Sequence, residues 1–249
     1  MKRTGTIALL TTLILLNTAF LCAGQTPAPG KQVEQSLQIT DKVSIPYLLY
    51  LPPDYKSSEK KQSLMLFLHG RGESYGPLSL VKKWGPPRMV ERGDPFPYIL
   101  VSPQCPGKDS WSRPTQQALL VKLLDFIVKT YAVDEDRVYL TGLSMGGYGS
   151  WRLAADHAQR FAAVVPICGA GRPEDANKLK SLPIWVFHGD QDGAVPFSRS
   201  EQMVKAIKAA GGTKIRFTTL EHVGHNSRSS TYALPELYSW LNKHTVSGT

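Results

Sequence analysis

Cysteine is scarce in this 249-residue chain. Cys22, Cys105 and Cys168 are too few for a disulfide scaffold and form no C-x-x-C pair. There is no Walker loop and no G-x-G-x-x-G after a first strand. Glu221, His222 and His225 form one loose grouping of potential metal ligands, but no further cluster at ligand spacing completes it. A metal site is therefore not expected. Long basic runs are also missing. Lys and Arg outnumber Asp and Glu by 29 to 20, giving +9, yet no run exceeds Lys60-Lys61 or Lys82-Lys83. A nucleic-acid partner calls for a concentrated basic stripe, so none is expected, and the excess reads as a solvated surface. No internal repeat is present. A content of 42% hydrophobic and 20% charged residues excludes a mainly disordered chain and a multi-pass membrane protein. This length is ample for one domain with a sizeable core.

The N-terminus has its own pattern. Lys2 and Arg3 precede a stretch from Ile7 to Cys22 that is apolar apart from threonines and Asn17. Small residues follow at Ala23 and Gly24, as in a secretory signal peptide. The apolar run is at the short edge of what spans a bilayer. The expected organisation is a signal peptide over 1–23, a polar leader over 24–36 and one folded domain over 37–249. The expected location is the periplasm or the exterior, with no stable membrane insertion after cleavage. A lipid anchor through Cys22 is the lesser alternative, because Leu21 is bulky where a lipoprotein signal takes a small residue. Cleavage after Ala23 removes Lys2 and Arg3 and leaves +7. Cys105 and Cys168 then remain in an oxidising compartment. Each follows a predicted strand, and both are read as free thiols. The sequence carries no sign of oligomeric state.

Seven short apolar runs read as strands: Tyr47 to Leu51, Ser63 to Gly70, Tyr98 to Pro103, Arg137 to Gly142, Ala162 to Cys168, Pro183 to Gly189 and Lys214 to Leu220. Continuous rather than alternating runs suit strands covered on both faces. Helical patterns lie between them, at Gln116 to Tyr131, Tyr148 to His157, Ser198 to Ala210 and Tyr232 to His244. This alternation predicts an α/β fold with a mostly parallel sheet flanked by helices. Its chemistry should gather at the C-terminal ends of the strands.

One stretch there has chemical meaning. Gly142-Leu143-Ser144-Met145-Gly146 is a G-x-S-x-G match, with an apolar strand running in and a helix running out. That is the setting of a nucleophile elbow, whose sharp turn tolerates only small neighbours such as Gly142, Gly146 and Gly147. A serine hydroxyl needs a base, and the base needs an orienting acid. For this elbow the order along the chain is Ser, acid, His. Asp190 and Asp192 follow one later strand, and His222 and His225 follow the next. Asp192 lies further into its loop and can reach a histidine, whereas Asp190 sits tight against the His188-Gly189 turn. His225 follows Gly224, whereas His222 is beside the strand end. The expected set is Ser144, Asp192 and His225. The developing oxyanion needs backbone N–H donors. Met145 supplies one, and Arg71, between Gly70 and Gly72, the other. Gln104 and Trp111, in the segment after another strand, are candidate pocket residues.

These residues resemble the α/β-hydrolase superfamily. The similarity is closest to its phospholipase/carboxylesterase-like and dienelactone-hydrolase-like branch of serine esterases. It covers residues 37 to 245 and is carried by YLLYLPPDY, LHGRGE, VDEDRVYLTGLSMGGYGSW, PICGAG, HGDQDGAVP and GHNS. The resemblance assigns nucleophile, acid and base to Ser144, Asp192 and His225. It implies one antiparallel early strand and no cofactor. Only 14 residues, Gly169 to Leu182, separate two of the strands, so no large lid domain is expected.

The expected activity is hydrolysis of a carboxylic ester, small or polysaccharide-linked, through an acyl-enzyme. Two alternatives stand beside it. One is a serine peptidase of the oligopeptidase type, although this chain is too short for the usual gating domain. The other is a non-catalytic carbohydrate- or surface-binding module on the same scaffold.

Overall fold

The computed structural model describes residues 27–57 and 60–248. The expected signal peptide and Cys22 lie outside them. Eight strands form one sheet: β1 (Gln32–Thr40), β2 (Val43–Tyr50), β3 (Gln62–Leu68), β4 (Ile99–Pro103), β5 (Val133–Leu143), β6 (Ala163–Ile167), β7 (Ile184–Gly189) and β8 (Ile215–Leu220). Their order is β1-β2-β4-β3-β5-β6-β7-β8. β2 runs antiparallel to both neighbours, and the pairs from β4 through β8 are parallel. The mostly parallel sheet with one reversed early strand is therefore present. Among the described residues no helix is long and apolar enough to cross a membrane.

The apolar runs occupy central strands because both sheet faces are covered. Successive residues of β3 enter opposite cores. Leu64, Leu66 and Leu68 face one cluster, and Met65 and Phe67 face the other. The first face is covered by α2 (Pro114–Thr130), α3 (Met145–Asp156), the short α4 (Ala176–Leu179) and α5 (Ser198–Ala209). The second is covered by α1 (Gly85–Glu91), α6 (Ser227–Tyr232) and α7 (Pro235–Leu241). Full burial of a Leu or Phe contributes about 1.5–3 kcal/mol, so β3 is anchored from both sides.

All seven predicted strands are present, and three differences have physical causes. β1 was not among them and begins inside the stretch read as a polar leader. It is an edge strand whose residues alternate between half-buried and exposed, so Leu37 and Ile39 alone bring substantial apolar surface to the core. α1 was hidden by Gly85-Pro86-Pro87, yet proline is tolerated in a first turn, where its missing N–H would have no partner. The helix expected over Tyr232 to His244 is two helices. Proline pushes the preceding residue out of the helical region, and Leu234 is extended at φ −78°, ψ 115°, so α6 ends and α7 starts at Pro235.

Cys105 and Cys168 are buried free thiols. They follow β4 and β6, three strand spacings or roughly 14 Å apart across the sheet, beyond disulfide reach.

Candidate active site

Ser144 occupies the single-residue turn between β5 and α3. Its backbone is at φ 55°, ψ −117°, a conformation that costs an L-residue about 1–3 kcal/mol. Packing enforces it. The Ser144 amide donates to Ile167 O at 2.9 Å, and the Tyr148 amide donates to Ser144 O at 2.9 Å. A Cβ on Gly146 would lie 1.9 Å from Leu68 O. Only glycine therefore lets α3 press against the end of β3 and hold the turn closed.

Asp192 lies in the loop after β7 with its side chain fully buried. Its Oδ1 accepts from the amides of Ala194 (2.8 Å) and Val195 (2.9 Å). Its Oδ2 is 2.7 Å from Nδ1 of His225. Burial works to raise this carboxyl's pKa, but the Val195 amide, His225 and the Ala194 amide outweigh it, and the pKa is lowered. The group is an anion that accepts only. That assigns the imidazole proton of His225 to Nδ1 and leaves Nε2 with a lone pair. His225 is in the loop after β8, and its side chain is 32% exposed, so the ring is not sealed in the core.

The two loops are locked together by backbone contact. The Gln191 amide donates to Val223 O at 3.1 Å, and a Cβ on Gly189 would lie 2.1 Å from that same oxygen. β5, β6, β7 and β8 are consecutive in the sheet, so Ser144, Asp192 and His225 share one rim. Asp192 and His225 are bonded. No hydrogen bond joins Ser144 to His225 among the described residues. Contacts between a nucleophile and its base are often loose without substrate and tighten in the reacting complex. Asp190 and His222 stand apart from the pair. Asp190 is exposed with its amide on Leu220 O, and exposed His222 meets Gln191 at 3.2 Å.

Met145 is the first residue of α3, and Arg71 the first of a 3-10 helix, Arg71–Ser74. First-turn amides have no partner within their helix. The Arg71 side chain turns outward and donates to Asp109 O at 2.8 Å. His69 fastens the loop from beneath. Its Nδ1 meets Gly70 O at 2.6 Å, and its Nε2 accepts the Cys105 amide at 2.9 Å. Burial lowers the His69 pKa to about 4, so the ring is neutral in that network.

Two expected pocket residues serve this loop instead. Trp111 is 0% exposed and presents no surface to a substrate. Its Nε1 donates to His69 O at 3.1 Å, with the two rings edge to face. Gln104 is also buried, and its Nε2 donates to Glu73 O at 2.8 Å. A backbone carbonyl satisfies each side chain and keeps it away from the surface.

Two further participants were not expected from the sequence. His188 is fully buried, with Nε2 3.2 Å from Asp192 Oδ2 and 3.0 Å from Val195 O, and Nδ1 2.7 Å from Ser200 Oγ. Cys168, at φ 45°, donates its thiol to Ser227 Oγ at 3.0 Å. Burial pushes that thiol up to about 11, so it is protonated near neutral pH. Cys168, Asp192 and His225 bring potential ligand atoms within 4.8 Å of one another. The thiol holds its proton, and the other two groups are bonded to each other. This donor set therefore fits a hydrogen-bond relay better than a metal site.

The fold is shared with a solved esterase. The family model Esterase, described as "Putative esterase", matches residues 41–229. The chain is 30% identical over 84 residues to the bifunctional acetylxylan esterase/xylanase XynS20E of Neocallimastix patriciarum, covering 34% of this chain and 12% of that protein. It is 25% identical over 190 residues to "Probable feruloyl esterase C" of Aspergillus flavus, covering 74% of this chain and 68% of that one. The crystal structure of a thermostable esterase superposes with a TM-score of 0.75 at 32% identity, over 88% of this chain and 64% of that chain. The chain thus spans a small part of the first relative and under two thirds of the thermostable esterase.

Proposed function

The chain belongs to the Esterase family, and from that premise we propose that it is an exported serine hydrolase that cleaves carboxylic esters. The observation that carries the proposal is the 2.7 Å bond between His225 and Asp192 on the rim that also bears Ser144 in its left-handed turn. A carboxylate holding Nδ1–H leaves Nε2 basic, as a general base for a hydroxyl must be.

Ser144 Oγ attacks the ester carbonyl carbon while His225 Nε2 takes its proton. Asp192 stabilises the imidazolium. The amides of Met145 and Arg71 receive the charge developing on the carbonyl oxygen, assisted by the N-terminus of α3. The C–O bond to the alcohol breaks as His225 returns the proton to the leaving oxygen. Water then attacks the acyl-Ser144 ester with the same base, releasing the acid and the free hydroxyl.

The names of the acetylxylan and feruloyl esterase relatives support a small or polysaccharide-linked ester as substrate. The Lys2-Arg3 and apolar N-terminal pattern supports export. The test is a panel of 4-nitrophenyl esters of increasing acyl length on the purified protein, with Ser144→Ala as control. Turnover that survives in the variant overturns the proposal.

A further inference from the structure

A cavity of about 600 Å³ lies between α1 and α6–α7, and Arg228 in its wall is the second residue of α6, three residues after His225 in the chain. Its chemistry is unusual. The indole of Trp84 is approached by three cations: Arg228 Cζ at 4.1 Å, Arg88 Cζ at 5.4 Å and Lys83 Nζ at 5.5 Å. Trp84, Arg88 and Arg228 all line the cavity. Arg92 in the same wall is paired with Asp94. Neither Arg88 nor Arg228 has a carboxylate within ion-pair distance among the described residues. The Nε of Arg228 is buried without a hydrogen-bond partner. Met89, Tyr232 and Tyr238 add apolar and aromatic surface.

Like charges gathered on one ring repel, and a buried guanidinium N–H without an acceptor costs free energy. A ligand carboxylate relieves the repulsion, because its two oxygens match the N–H groups of a guanidinium. The acid that acts most strongly on Arg228 is Glu73, whose own carboxyl is pushed toward the neutral form by burial. It is a weak internal substitute for such a ligand. The volume exceeds what a carboxylate needs and suits a drug-sized group.

Resting on the esterase reading, we infer that this cavity is a subsite for a carboxylate carried by the ester substrate, held between Arg88 and Arg228 against Trp84. Two kinds of molecule present that chemistry beside an ester: an acidic sugar in an esterified polysaccharide, and the half-ester of a dicarboxylic acid.

Two assays on the full chain separate the sources. Intrinsic fluorescence, in which Trp84 is one of five tryptophans, reports binding without turnover, using trigalacturonate against neutral galactotriose. Hydrolysis of 4-nitrophenyl hydrogen adipate against 4-nitrophenyl hexanoate reports a carboxylate on the acyl side. The expected result is a preference of about tenfold for the charged member of at least one pair. It should weaken in about 0.5 M salt and fall toward parity in Arg88→Gln or Arg228→Gln. Arg88 is exposed, so its replacement leaves the fold intact. A response to trigalacturonate alone identifies the acidic sugar, and to adipate alone the diacid. No preference in either assay, or a preference retained in both variants, overturns the inference. Hexanoate hydrolysis without any carboxylate preference rejects the subsite and leaves the esterase standing. Trigalacturonate binding with no hydrolysis of either ester keeps the anion site and rejects the esterase.

Discussion

Nε2 of His188 stands 3.2 Å from the same Asp192 oxygen that binds His225 at 2.7 Å. One carboxylate therefore lies between two imidazoles, one sealed in the core and one at the rim. Burial lowers the pKa of His188, against Val195 O and Asp192, which favour its charged form. The buried ring thus serves as a neutral donor, and the charge on Asp192 is left for His225.

His188 should act through Asp192. Replacing it with Gln is expected to lower kcat about tenfold with little change in KM, because it disturbs the acid and not the substrate contacts. Initial-rate kinetics on a short-chain ester measure this. A change confined to KM would place His188 in substrate binding instead.

Ser144→Ala should lose roughly 10⁴-fold or more of ester turnover while thermal unfolding stays close to the parent's. The parent alone should react with a fluorophosphonate probe. An aminoacyl anilide assayed beside the ester tests the peptidase alternative. Anilide turnover above ester turnover would favour a peptidase.

Acid should weaken the fold through His69. The folded ring titrates at about 4, and the unfolded ring at its ordinary value near 6.5. Below 6.5 the unfolded chain takes up the proton first. The stability His69 contributes is therefore complete above about 6.5 and is lost as pH falls toward about 4, amounting to roughly 3 kcal/mol. Urea midpoints between pH 7 and 4 should fall more shallowly in His69→Gln. Identical slopes in parent and variant would exclude His69 as the source.

Gly146→Ala should disrupt the fold, not just the reaction. Its methyl would lie 1.9 Å from Leu68 O. Neither backbone can yield without separating α3 from β3. A loss of about 3 kcal/mol or more is expected, or failure to accumulate. Thermal denaturation of the purified variant decides this, and an unchanged midpoint would show that the turn can relax.

Export predicts that the mature protein begins near residue 24. Intact mass after expression in a secreting host would show removal of 1–23. A mass that retains Lys2 and Arg3 would contradict the signal-peptide reading.

The amino-acid pattern was enough to read the parallel core and the tight turn at Ser144. Apolar runs such as Leu64 to Leu68 have no surface on which to lie except a sheet covered on both sides. Gly142, Ser144 and Gly146 between strand and helix leave the chain little freedom but a tight turn. The choice of Asp192 and His225 over their neighbours followed from reach along each loop. Local patterning could not show β1, whose register depends on pairing with β2, or the break at Leu234, where proline overrides the apolar period.

Tertiary structure alone decided the surroundings of the site. Trp111 and Gln104 were candidate pocket residues and are instead buried against the Arg71 loop, because carbonyls from distant segments satisfy their N–H groups. His69, His188 and Cys168 carry no sequence signal for their roles, since a histidine's proton and a thiol's acidity depend on which groups exclude water around them. Local composition acts over a few residues and governs strand, helix and turn. Burial and hydrogen-bond partnership depend on chain segments far apart in sequence, and they are defined only once the sheet has brought those segments together.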